Sequence, residues 1–209
     1  MSNECAHLHA WCGKLPLHSF PYVVEKIPLN GIYVLFEKGE IGHEGNRIVR
    51  VGTHTGKNQL RSRLWQHFLN ENKDRSIFRK NIGRCFLNRE GDAYLEKWEW
   101  DLTTKAAKEK YRALIDMEKQ LQLEKQISNY LQSNFYFAVF EVNDAVKRLE
   151  WESKFLSTIA KCEECVPSKE WLGNYSPIAK IREFGLWNVQ GIDGKILTKK
   201  DFVEYELSD

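Results

Sequence analysis

The run from Phe135 to Val142, FYFAVFEV, constrains the fold of this chain more than any other segment. It is almost continuously apolar, and it is far too short to cross a membrane as a helix. Such a run is typical of a strand that is buried on both faces. The sequence therefore predicts a sheet with helices packed on it.

Two further strands are predicted upstream. The β-rich runs GIYVLFE, from Gly31 to Glu37, and RIVRVGT, from Arg47 to Thr53, are joined by a turn-prone stretch that contains three glycines. Two strands with a short polar connection predict an antiparallel hairpin.

Helical spacing of apolar residues begins after Lys57. It predicts one helix with Leu60, Leu64 and Phe68 on its buried face, a second over residues 75–87, and another that Asp144 caps and that runs to about residue 160. Residues 103–133 form a long helical pattern without proline or glycine, which either projects as an arm or packs as an ordinary helix.

The predicted fold class is α+β, with a small three-stranded mixed or antiparallel sheet flanked by helices. A helical insertion at about 90–133 separates the second helix from the third strand. We expect an irregular N-terminal arm (1–29), a central domain (30–166) and a C-terminal extension (167–209) that includes a small terminal helix over 197–207. The absence of a long apolar run or secretory pattern predicts a cytoplasmic protein without a membrane partner.

Basic residues are concentrated between Lys57 and Arg89. This segment has nine basic and two acidic residues, a net charge of +7 in a chain whose net charge is only +2. Concentrated positive charge favours a polyanionic partner, although two solvated helix faces are an equally good explanation. The candidate contacts to a nucleic-acid backbone are Arg75, Arg79, Lys80 and Arg84.

Candidate groups for phosphodiester hydrolysis occur in three predicted elements. Such a reaction needs a base, a cation that neutralises the transition state, and stabilisation of the leaving oxygen. Tyr33 lies in the first strand, Arg63 and His67 lie one turn apart on the first basic helix, and Glu152 or Glu150 on the late helix could hold a metal. A half-buried strand tyrosine, a surface arginine and histidine, and a solvated glutamate are the alternatives.

The order of these features resembles the GIY-YIG nuclease family. The resemblance covers roughly residues 30–160, interrupted by the insertion, and implies a three-stranded mixed sheet with the site on one face. By position, Tyr33 matches the GIY tyrosine and Arg63 matches the family arginine. His67 matches a histidine of the restriction-enzyme branch. Glu152 matches the metal ligand on the late helix, and Asn174 matches an asparagine that follows this helix. Arg50 stands where the family has the YIG tyrosine, and His54 is a plausible substitute for it.

The resemblance implies a metal-dependent endonuclease that acts on DNA, with double-stranded DNA and a restriction or defence role as the preferred interpretation. One Mg²⁺ or Mn²⁺ ion would bind Glu152, and Tyr33, Arg63 and Glu152 would converge on one pocket. Two rival functions are a degenerate domain that binds nucleic acid without cutting it, and a protein-interaction domain whose long helix forms a homodimer or docks a partner.

The five cysteines predict free thiols, because an odd count does not suit a disulfide framework. Cys5, His7, His9 and Cys12 lie close together in sequence, and Cys162 and Cys165 form a C-x-x-C pair. A structural zinc ion held by four of these thiolates and imidazoles is therefore a second metal hypothesis, with Cys5, Cys12, Cys162 and Cys165 as the candidate set.

Overall fold

Four antiparallel strands form one sheet in the order β1-β4-β2-β3. The structure is a computed structural model that describes residues 2–205. The strands are β1 (Leu17–Ser19), β2 (Gly31–Gly42), β3 (Gly45–Gly52) and β4 (Phe135–Glu141). The predicted α+β class is confirmed, with one strand more than expected. Strand β1 was not predicted because its three residues are too few to show an alternation of apolar and polar side chains.

Nine α-helices surround the sheet within the described part of the chain. They are α1 (Ser2–Lys14), α2 (Leu60–Phe68), α3 (Ile77–Glu90), α4 (Tyr94–Trp98), α5 (Lys105–Tyr111), α6 (Met117–Asn134), α7 (Ala145–Ala160), α8 (Ala179–Phe184) and α9 (Lys199–Glu204). Asp144 caps α7 as predicted, since its side chain accepts the backbone N–H groups of Val146 and Lys147. Among the described residues, no helix is both long and apolar enough to cross a bilayer.

The sheet separates two apolar clusters. One contains Tyr33 and Phe137 together with buried residues of α2, α3 and α6, and the other contains Val34 and Ala138 together with residues of α1 and α7. Strand β4 is thus covered on both faces, as its apolar run predicted. Strand β3 is an edge strand, and α1 and α7 contact it.

Two expectations about secondary structure were wrong. The predicted irregular arm contains α1 and β1, and α1 packs on β3 and α7. The long helix over 103–133 is two helices, because Ile115 is extended and Asp116 caps a new helix by accepting the N–H of Lys119. Helix α9 lies within the predicted terminal helix over 197–207, whose last two residues lie outside the described residues.

A buried carboxylate ties the C-terminal extension to the sheet. Glu37 on β2 is 3% exposed. It accepts hydrogen bonds from the Tyr130 hydroxyl and from the indole N–H groups of Trp171 (2.9 Å) and Trp187 (3.0 Å). Burial raises the pKa of Glu37, and these donors oppose that rise. The carboxylate therefore joins β2 to α6 and to residues beyond Pro167.

We expect Glu37→Ala to lower the free energy of unfolding by about 3–5 kcal/mol, because two buried indoles and one partly buried hydroxyl lose their acceptor. Urea denaturation measures the effect. Glu37→Gln is the matched control: it keeps an oxygen for the two tryptophans and should cost about 1 kcal/mol. Equal losses for both variants would contradict this role of the side chain.

Candidate active site

Two adjoining pockets open at the end of β3. Their volumes are about 410 and 430 Å³, and both are lined by Arg63 of α2 and Glu152 of α7. The first extends over the segment after β3, which includes His54, and the second extends along Trp187, with Arg50 in its wall. An arginine and a carboxylate that lie far apart in the sequence therefore share one cavity.

Glu152 is held at the end of β3 by one of its two oxygens. Oε1 accepts the backbone N–H of Thr53 at 3.1 Å, and the second oxygen has no hydrogen-bond partner among the described residues. Burial raises the pKa of Glu152, while Arg50, the Thr53 N–H and Arg63 act in the opposite direction. The carboxylate thus has one oxygen left for a ligand.

Two arginines next to Glu152 have no carboxylate partner among residues 2–205. Arg50 is 5% exposed, donates from Nη1 to the Trp187 carbonyl at 3.0 Å and lies over the Phe78 ring, but its buried Nε has no hydrogen-bond partner among the described residues. Arg63 donates to Gln66 Oε1 (3.1 Å) and to the carbonyl of residue 75 (3.3 Å). A buried charged donor without a partner is costly, so this wall suits an anion.

Tyr33 and His67 form a buried pair behind the pocket. The Tyr33 hydroxyl lies 2.7 Å from His67 Nε2, and His67 Nδ1 lies 2.7 Å from Ser76 Oγ. Both rings are fully buried, and the pKa of His67 is well below its usual value because of burial and of Arg50, Arg63 and Arg79 nearby. His67 is therefore neutral at neutral pH and can accept a hydrogen bond from the phenol.

The phenol of Tyr33 occupies the space in which residue 52 would carry a side chain. Tyr33 pairs with Gly52 across the hairpin, and a Cβ at Gly52 would lie 2.2 Å from the Tyr33 oxygen. Thr53, which holds Glu152, is the next residue. Tyr33 belongs to the cluster of α2 and α3, whereas α7 packs on the opposite face of the sheet. The two pockets thus lie at the edge strand rather than on one sheet face. Arg63 and Glu152 converge on them as expected, but Tyr33 lines neither pocket.

His54 is committed to local structure. Its Nε2 accepts the Gly31 N–H at 3.3 Å, and its Nδ1 donates to the Gly56 carbonyl at 2.6 Å. Burial lowers the pKa of His54, so the ring is neutral. It lines the first pocket but has no free nitrogen, so its place as a substitute for the family tyrosine is weakened by its own hydrogen bonds.

Two residues that shape the site were not singled out from the sequence. Asn188 uses its side-chain amide to bond the N–H (3.2 Å) and the carbonyl (2.9 Å) of Val51, so it covers the free edge of β3. Arg148 is buried and donates to the carbonyls of Val142 (3.0 Å) and His54 (3.3 Å), which fastens the start of α7 beside the pocket. The segment GLWN contained the signal for Asn188.

Asn174 lies away from this site. Its side chain donates to the carbonyls of Ser168 and Lys169, and it lines neither pocket. Asn188, in the same C-terminal extension, has the position next to Arg50 and Glu152 instead. Which of the two asparagines lies at the site could not be predicted without knowing the path of the chain after α7.

Most of the basic residues that were predicted to contact a nucleic-acid backbone are paired with acidic residues of the protein. Arg79 is fully buried and binds Glu124 at 2.7 Å, so the prediction that it contacts DNA was wrong. Lys80 and Arg84 both bind Glu99, which follows the basic segment 57–89 in the sequence. Of the four candidates, Arg75 is the one with an exposed side chain.

Comparison with known proteins gives one family match. The model of the GIY-YIG domain family matches residues 11–203, a range that includes α2, α7, the four strands and both pockets. Searches among curated proteins and among solved structures return no significant match.

Proposed function

Because the chain belongs to the GIY-YIG domain family, we propose that it is a metal-dependent endonuclease that hydrolyses phosphodiester bonds in DNA. The observation that carries the proposal is the cavity shared by Arg63 and Glu152. Arg50 and Arg63 bring two positive charges to it and Glu152 one negative charge. A phosphodiester anion would balance this surplus, and guanidinium groups suit its oxygens geometrically.

The residues present fit one divalent cation with oxygen ligands. Glu152 is the one carboxylate that lines either pocket, and one of its oxygens has no partner among the described residues. Mg²⁺ or Mn²⁺ can be held by a single carboxylate when waters and a substrate phosphate complete its shell. When bound, the cation would neutralise charge on the phosphate and acidify a water.

We assign transition-state stabilisation to Arg63, with Arg50 as a second donor through its unpartnered Nε. Positioning of the attacking water is assigned to Tyr33, whose hydroxyl donates a hydrogen bond to neutral His67 at 2.7 Å and whose oxygen would accept one from the water. Since the phenol is fully buried, this step entails a shift of the segment around Gly52 when substrate binds.

The proposed substrate is double-stranded DNA, and a restriction-like or defence role is the preferred context. His67 next to Arg63 supports this choice, because that pair resembles the restriction branch of the family. Arg75 is exposed close to Arg63, whose guanidinium bonds the carbonyl of residue 75, so a DNA backbone entering the pocket would meet it.

The test is incubation of purified protein with supercoiled plasmid in Mg²⁺, Mn²⁺ or EDTA. We expect nicked or linear DNA with either metal and none with EDTA. Salt-sensitive binding of DNA without metal-dependent products would instead support a degenerate binding domain, to which Arg50 in the place of the family tyrosine lends weight. If the protein neither binds nor cleaves DNA, a protein-interaction function would be supported instead.

As pH falls, cleavage should be lost at a higher pH than it would be if Glu152 had the pKa of an ordinary glutamate. Metal binding needs ionised Glu152, and burial raises its pKa, so the active form disappears as pH falls through that raised value. His67 stays neutral and adds no acidic limb near pH 6–7. The measurement is kcat/KM against pH at a Mg²⁺ concentration well below saturation, so that the metal-free carboxylate sets the acidic limb. An acidic limb at or below about pH 4.3, the value of a free glutamate, would contradict this assignment.

A further inference from the structure

A second cluster of ligand-type side chains lies outside the two pockets at the end of β3. Cys5 and His9 are one turn apart on α1, His43 is in the turn between β2 and β3, and Cys165 follows α7. One donor atom from each of the four lies within 4.8 Å of the others. Three separate segments therefore bring two thiols and two imidazoles to one point.

The spacing of these donors suits a tetrahedral ion. His9 Nε2 lies 3.5 Å from Cys165 Sγ. Zinc bonds of ~2.3 Å to sulfur and ~2.0–2.1 Å to nitrogen place neighbouring S and N ligands about 3.6 Å apart. The distance between these two ligand atoms is thus close to that along one edge of a zinc tetrahedron.

Each imidazole is oriented by an acceptor at its other nitrogen. His9 Nδ1 donates to the Cys5 carbonyl at 2.9 Å, which leaves the lone pair on Nε2 facing Cys165. His43 Nδ1 lies 3.6 Å from the Glu164 carboxylate. Metal-binding histidines are commonly held in this way. The backbone N–H of Ile48 also reaches His9 Nε2 at 3.1 Å, so a metal there would compete with that hydrogen bond.

We propose that Cys5, His9, His43 and Cys165 bind one Zn²⁺ ion. Two thiolates and two neutral imidazoles would cancel its charge, which suits a site where both sulfurs are at most 3% exposed. Sulfur and nitrogen donors in a tetrahedron favour zinc over Mg²⁺. Four protein ligands leave no open position, so the role is structural: the ion fastens α1 and the end of α7 to the β2–β3 turn.

The ligand set differs from the four cysteines that the sequence suggested. Cys12 is buried among apolar residues and does not belong to the cluster. Cys162 is a fifth neighbour, with Sγ 3.3 Å from His43 Nε2, but it is not one of the four that lie mutually within 4.8 Å. His43 lay outside both cysteine groups in the sequence, and only the turn after β2 brings it close.

The test measures metal content by plasma mass spectrometry on protein purified without chelator or metal-affinity resin. We expect about one zinc per wild-type chain, at least a fivefold loss in Cys5→Ala, His9→Ala and Cys165→Ala, and full content in the controls Cys12→Ala and Cys162→Ala. If ligand variants fail to fold, the wild type still decides. Chelation should lower its Tm by roughly 10 °C, and Zn²⁺, but not Mg²⁺, should restore it.

Three results would overturn the proposal. Wild-type protein with less than about one zinc per ten chains would remove the site. A disulfide between Cys5 and Cys165, seen by mass spectrometry of the alkylated protein, would give the cluster another chemistry. Zinc loss in Cys162→Ala together with retention in His9→Ala would overturn the ligand set.

Discussion

Glu152→Gln is expected to lower the rate of metal-dependent DNA cleavage by about 10³-fold or more, while the protein stays folded. The amide oxygen can still accept the Thr53 N–H at the end of β3, so the local structure is kept. What is lost is the one charged oxygen that can hold the cation, and loss of about 4 kcal/mol of transition-state stabilisation corresponds to 10³ in rate. Single-turnover plasmid cleavage and circular dichroism measure the two effects.

Glu150→Gln is the matched control on the same helix. Glu150 is largely exposed and pairs with Lys154, whose ammonium also binds Asp201. An exposed pair contributes little, so we expect wild-type cleavage within about twofold. An inactive Glu150→Gln protein beside an active Glu152→Gln protein would move the metal ligand to Glu150 and contradict the proposed site.

Arg79→Ala is expected to lower the free energy of unfolding by about 3–5 kcal/mol, equivalent to a fall in Tm of roughly 10 °C. Arg79 donates to the Glu124 carboxylate (2.7 Å), to the Glu124 carbonyl (2.8 Å) and to the His67 carbonyl (3.1 Å). Removing the guanidinium leaves a carboxylate that is 2% exposed without its cation. Thermal unfolding followed by differential scanning fluorimetry measures the loss.

Arg75→Ala is the control for charge alone. Its side chain is exposed on the same basic segment, so its loss should change stability by less than about 0.5 kcal/mol and instead weaken DNA binding at low salt. Equal stability of the Arg75→Ala and Arg79→Ala proteins would show that the buried pair does not stabilise the fold.

The sheet could be read from the sequence because its strands carry strong local patterns. The apolar run of β4 predicted a strand covered on both faces, and the glycine-rich connection predicted the β2–β3 hairpin. Strand β1 could not be predicted in this way, since three residues give no periodicity and its pairing with β4 is a tertiary contact. The end of the helical segment at Ile115 was not predicted. Isoleucine is compatible with a helix, so the sequence gives no sign that its backbone is extended here.

The charge of the basic segment was misleading for a related reason. A count along the sequence assigned Arg79, Lys80 and Arg84 to a polyanion, but Glu99 and Glu124, which are distant in sequence, pair with them in space. The same limit applies to the site. Spacing predicted that Arg63 and His67 share a helix face, yet it could not show that His67 turns inward to Tyr33 while Arg63 reaches the pocket.

The most direct test is a crystal structure of the protein with duplex DNA and Mn²⁺. We expect an anomalous manganese peak about 2.1 Å from a Glu152 oxygen, with a DNA phosphate bonded to the ion and to the guanidinium groups of Arg63 and Arg50. DNA bound along the surface at Arg75, with neither metal nor phosphate between Arg63 and Glu152, would contradict this expectation.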